Sequence, residues 1–214
     1  MHRTDQPKTT IKMREETPKH IAKSLEGSRE AAVRHAMMGW VMPRVTPPWR
    51  PVLARLRASL AAQANQTEID ADRQALDTKF DQERQHWEAE PLTPQRMRKG
   101  LKLTREKARR LARRCARSRD AEQCHRWRKW VKYLTYQQQM REQVEGKPPK
   151  EDPRQLKRLA KRLGRQHDLH NLTHWLASQS QEAGVNEALL DEIRNLADRQ
   201  LDKGLREGRK LGWL

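Results

Sequence analysis

The 214 residues allow one domain or two small ones, with enough chain to enclose a core but not enough for a large multidomain enzyme. Lys and Arg number 46 against 28 Asp and Glu, a net charge of +18, and the mean hydropathy is −1.14. No membrane span fits: the longest apolar stretches, around residues 37–42 and 53–62, fall far short of the ~20 residues a bilayer demands, and residues 1–10 lack the apolar centre of a secretory signal, so a soluble, cytoplasmic chain is expected.

Period-two alternation is scarce and Ala, Leu, Arg, Lys, Glu and Gln dominate, which predicts an all-α protein. Thr17 ahead of Pro18 opens a helix expected over residues 18–41, since a capping oxygen followed by a proline suits the first turn. Residues 43–51 (PRVTPPWRP) hold four prolines in nine positions and cannot be helical; they mark the expected boundary between a partial first half, residues 1–50, and a basic bundle, residues 52–214. Helices are then expected over 52–64 and 68–89. Thr93-Pro94 opens one over 94–119, and another covers 121–144. Beyond the break at residues 146–153 (GKPPKEDP), Asp152-Pro153 opens a helix over 154–178, and the last spans 186–208. Residues 25–35 (LEGSREAAVRH) faintly echo residues 163–171 (LGRQHDLHN) without establishing a repeat.

The charge is concentrated. Residues 96–165 carry 25 Lys/Arg against 7 Asp/Glu, which is the whole excess, and the rest of the chain holds 21 of each. Such local imbalance costs self-repulsion and makes sense chiefly where a polyanion neutralises it, because acidic residues would serve solubility at least as well.

At about 100° per residue, Trp127, Trp130, Val131 and Leu134 fall on one stripe and predict core, while His125, Arg128, Lys129, Lys132 and Tyr136 face away. Aromatics and cations are thus largely segregated, which suits phosphates better than stacked bases. In the preceding helix Met97, Leu101, Thr104, Ala108, Leu111, Ala112 and Cys115 share one side, and Lys102, Arg105, Arg109, Arg113 and Arg117 the other. In the following helix Leu156, Leu159, Ala160 and Leu163 pack inward, and Arg154, Lys157, Lys161 and Arg165 project outward. If these three helices are neighbours, their cationic strips could line one shared groove. Past Gly164 the apolar stripe moves to Leu169, Leu172 and Leu176, nearly opposite, which predicts a kink or burial on both sides.

Other chemistry is sparse. Cys115 and Cys124 lack CxxC spacing and are expected to be reduced, with Cys115 a small buried filler. His167, His170 and His174 share a helix face at a spacing compatible with a metal, but no carboxylate joins them there, and no metal or other cofactor is expected. Nucleotide-binding glycine loops, an HExxH helix and an acidic cluster able to hold Mg²⁺ are all missing, so no catalytic residue is assigned.

The run His125-Arg126-Trp127-Arg128-Lys129-Trp130-Val131-Lys132-Tyr133-Leu134-Thr135-Tyr136, followed by residues 156–169 (LKRLAKRLGRQHDL), resembles the second half of a CHAD domain, the conserved histidine α-helical domain. The shared pattern is a His, an Arg-Lys pair, a Lys with a Tyr beyond it, and later a Leu-Gly followed by a basic residue and an Asp. The good resemblance covers roughly residues 94–177, with a weak match at residues 28–33. Arg105 and Thr135 stand where the family often has Tyr and Arg.

The resemblance implies two antiparallel four-helix bundles, here with a complete C-terminal bundle and a partial or degenerate N-terminal one. It also implies binding of inorganic polyphosphate along a basic groove or tunnel. Carried over by position, His125, Arg128, Lys129, Lys132, Lys157, Lys161 and Arg165, with Gly100 and Arg109 on the preceding helix, match the family. With Lys102, Arg105, Arg113 and Tyr136 added from the basic faces, these side chains form the expected polyphosphate site. The Glu-x-Glu-x-Lys strand of the hydrolase that often accompanies such domains is missing, so a non-enzymatic binding module that is recruited to polyphosphate granules or senses the polymer is expected. An RNA- or DNA-binding accessory protein is the alternative, and a polyphosphate-processing enzyme a weaker one.

Overall fold

A computed structural model describes residues 26–66, 77, 78, 80, 81, 84, 85, 93–179 and 184–214. Every regular element among them is helical: α1 (Glu26–Val41), α2 (Arg50–Gln66), α3 (Pro94–Ser118), α4 (Ala121–Glu145), α5 (Pro153–Ala177) and α6 (Glu187–Lys210), with short 3₁₀ turns at Met42–Arg44 and Pro47–Trp49. The protein is all-α, and these bounds lie close to the sequence expectation wherever it falls on described residues.

The start signals act as anticipated. The Thr93 hydroxyl accepts from the Arg96 amide at 3.2 Å, and the Asp152 carboxylate from the Arg154 amide at 2.8 Å, each with proline in the first turn. Asp120 and Asn186 cap α4 and α6 in the same way. The Thr17 cap lies outside the described residues.

The chain forms two compact units, Met1–Gly39 with Ala54–Pro91, and Trp40–Leu53 with Leu92–Leu214. In the first, α1 and α2 meet where Gly39 faces the Arg57 guanidinium; a Cβ there would lie 3.2 Å from Arg57 Cζ. In the second, α3 packs on α4, α4 on α5, α5 on α6, and α6 returns to α3, giving an antiparallel four-helix bundle with short connections. Residues 43–51, expected to be non-helical, instead form most of two 3₁₀ turns and the first residues of α2, since proline is tolerated in the first turn of a helix; they belong to this unit and dock on α6 through one carboxylate. Glu192 accepts from the Thr46 amide at 2.9 Å, the Thr46 hydroxyl at 2.7 Å and the Trp49 indole N–H at 3.0 Å.

The bundle core joins Leu101 and Leu111 of α3 to Trp127, Val131 and Leu134 of α4, Leu156, Leu159 and Leu163 of α5, and Leu201 and Leu205 of α6. Trp213 folds back into it past the end of α6. Gly208 lets α6 approach Trp127, since a Cβ there would sit 3.2 Å from the indole Cη2. Along the second half of α5, Leu169, Leu172 and Leu176 are also fully buried, so α5 is covered on both sides, as the shift of its apolar stripe predicts.

Two further expectations change. Cys115 and Cys124 form a disulfide rather than two thiols. A two-residue turn between antiparallel helices brings positions nine apart to a Cα separation of 5.0 Å, within disulfide reach, whereas the spacing rule applied to the sequence looked for CxxC. Trp130 is only partly buried and lies at the core's edge beneath Lys107, whose Nζ is 5.7 Å from its ring. Trp127→Ala is therefore expected to lower stability by ~3–5 kcal/mol and Trp130→Ala by clearly less, as read by urea denaturation.

Candidate functional site

The seam between α4 and α5 opens into a cleft of about 460 Å³. Arg128, Lys132, Thr135, Tyr136 and Gln139 of α4 form one wall, and Pro153, Arg154, Lys157 and Ala160 of α5 the other. Four cations face this space and no carboxylate lines it. Arg154, Lys157 and Lys132 make no ion pair among the described residues, and the buried Arg128 Nε has no hydrogen-bond partner. Arg128 lies against α5 where Gly164 offers no side chain; its Nε is 3.4 Å from the position a Cβ would take. Lys132 Nζ stands 5.9 Å above the Tyr136 ring, and Lys129 Nζ 5.6 Å above that of Tyr133.

Beyond Arg128 the same seam brings His125 and His167 together, ring centroids 4.2 Å apart. His125 Nδ1 is buried without a partner, and His167 Nε2 is 3.3 Å from Asn171 Nδ2. Burial, followed by His125, Arg128 and His170, presses the His167 pKa from 6.5 down to about 4. Burial and then Arg128 and Lys129 lower His125 as well, against a raising contribution from Glu122. His170 and His174 form a second pair, Nε2 to Nε2 at 3.1 Å.

Arg128, Lys132, Tyr136 and Lys157 of the expected site line the cleft together, with His125 further along the seam. Lys129 and Lys161 are exposed on the same two helices outside the lining. Arg165 turns toward Trp40, its guanidinium 5.1 Å from a ring that also carries Arg44 at 4.1 Å; burial, Arg162 and Arg44 lower its pKa. The strip of α3 does not reach the cleft, because α3 packs on α4 and α6 and contributes no lining residue. Lys102 and Arg113 are exposed there, and Arg109 is half-buried with an unpartnered Nε. Arg105 is committed elsewhere: it grips the buried Glu151 at 2.5 and 3.0 Å, and Gln138 donates to the same carboxylate.

Thr135 and Gln139 belong to the lining although the sequence did not single them out, and so does Arg154, which the sequence placed in the cationic strip but not in the expected site. Arg154 precedes Lys157 by one three-residue step, a signal sufficient to include it. Tyr133 is 42% exposed and Tyr136 57%, so two aromatics stand on the basic side where one was expected.

A helical bundle whose two central helices enclose a cation-lined, acid-free cleft is the class of protein that fold and site define. The chain belongs to the CHAD domain family, whose model matches residues 7–177. The match ends with α5, so α6, which closes the bundle, lies beyond it. No match is found among curated proteins or solved structures. No helix among the described residues is long and apolar enough to cross a membrane.

The His167 shift has a definite sign. The folded state binds the proton only near pH 4, whereas the unfolded chain takes it near 6.5, so stability is complete above about 6.5 and is lost as the pH falls toward 4. Thermal melts across that window are expected to show a falling Tm in the parent protein and a shallower fall in His167→Gln.

Proposed function

We propose that this protein binds inorganic polyphosphate in the α4/α5 cleft, as a binding module without a covalent step, and that it acts by recruitment to polyphosphate granules. The observation that carries this is the lining: Arg128, Lys132, Arg154 and Lys157 converge on one elongated space with no carboxylate to neutralise them. Concave, low-dielectric walls strengthen their attraction for a chain of phosphates. Arg128 supplies a planar fork of donors and the lysines compact point charges, replacing the polymer's counterions. The lining offers cations, a hydroxyl, a phenol and an amide, which suits holding phosphates more than activating water.

His125 stands at the end of this seam. Phosphate negative charge nearby would raise its lowered pKa, so binding takes up a proton and tightens as the pH falls. Arg128→Ala with Lys132→Ala is expected to weaken polyphosphate binding strongly at unchanged helicity. The slope of log affinity against log salt should become shallower by roughly one per cation removed, and an unchanged slope would place the polymer elsewhere.

A second possibility has one observation in its favour. Tyr133 and Tyr136 are exposed beside Lys129 and Lys132, the combination that holds single-stranded nucleic acid by stacking. Competition among polyphosphate, single-stranded RNA and duplex DNA at equal phosphate and fixed salt separates the two. Polyphosphate is expected to win, and Tyr136→Ala to leave its binding nearly intact; preference for RNA that vanishes in Tyr136→Ala reverses the assignment.

A further inference from the structure

The outer face of α3 is charged out of proportion to any need for solubility. The helix holds eleven Lys/Arg and a single acid, Glu106. Lys99, Lys102, Arg110, Arg113 and Arg117 are all exposed and fall within an arc of about 80° at ~100° per residue, along ~27 Å of helix. Not one of these five makes an ion pair with a described residue; Arg117 only donates to the Arg113 carbonyl. The same bundle solubilises α6 differently, with six acids and six bases, among them Arg194 paired with Asp191 and Lys210 with Glu207.

This face and the cleft are separate fields. On α4, Trp130 points toward α3 and Arg128 and Lys132 toward α5, and between these two sides runs an outward ridge that carries Tyr133, Met140 and Val144 together with Lys129 and with Arg126, which pairs with Glu122. No residue of α3 lines the cleft, and α3 packs on α4 and α6 rather than on α5, so the cations of the two faces do not share one space. The α3 surface is also convex and lined by no aromatic, so it can grip phosphates from one side without enclosing them or stacking bases.

We infer that the α3 face is a second docking surface for polyphosphate, independent of the cleft, so that one protein engages two strands and cross-links them. This rests on the cleft assignment above only for the identity of the polymer. It turns a passive ligand of the granule into a component that condenses it, because two sites facing different directions join chains into a network.

The test is calorimetric stoichiometry with short-chain polyphosphate, together with light scattering on adding long-chain polymer. The parent protein is expected to bind two short chains and to scatter. Lys99→Gln with Lys102→Gln, Arg110→Gln and Arg113→Gln, all exposed positions in good helix-forming context, is expected to bind one chain and not to scatter. Lys132→Ala with Lys157→Ala should likewise bind one. An α3 variant with the parent's stoichiometry overturns the inference and leaves the cleft assignment standing, whereas a cleft variant that still binds two removes the cleft and leaves α3. Loss of duplex DNA binding in the α3 variant with polyphosphate stoichiometry unchanged overturns it in favour of nucleic acid.

Discussion

The structure of the C-terminal unit depends on the packing of Trp127 into the middle of the bundle. Its indole is fully buried between α3, α5 and α6, and Gly208 is the concession that α6 makes to it. Because Trp127, Val131 and Leu134 fix the rotation of α4 about its own axis, they also fix the direction of Arg128 and Lys132. The site is therefore not an addition to the fold. A register change in the core would turn the cations away from α5 and close the cleft.

The two helices that form the cleft are held together by contacts of different chemistry at different levels. At one end Glu151 is gripped by Arg105 and Gln138, which ties the α4/α5 connection back to α3. In the middle Arg128 lies across Gly164. Further along, two imidazoles pack ring to ring. Arg105 and Arg128 carry the same charge on adjacent helices, yet one is a strut and the other remains open to a ligand, and the difference lies only in whether a carboxylate is within reach. Cation counts therefore overstate binding capacity.

Much of this was legible in the sequence. The Thr93-Pro94 and Asp152-Pro153 caps, the apolar stripe through Trp127, Val131 and Leu134, and its shift in α5 all follow from local chemistry and helical period, and the helices stand where those signals placed them. What the sequence could not reveal is adjacency. Three basic strips look equivalent on a helical wheel, but only α4 and α5 place theirs across a common space, while the strip of α3 faces outward. The partnership of Arg105 with Glu151 spans 46 positions, and the Cys115–Cys124 bond depends on a turn whose length no spacing rule encodes. The family resemblance implies a ligand class but is silent on the division of labour among the cations.

The Cys115–Cys124 bond lies wholly inside the core, both residues without exposed surface, at the turn joining α3 to α4. A soluble reductant must wait for the hairpin to part before it meets sulfur, so thiol exchange at this bond is gated by local opening of the turn between α3 and α4.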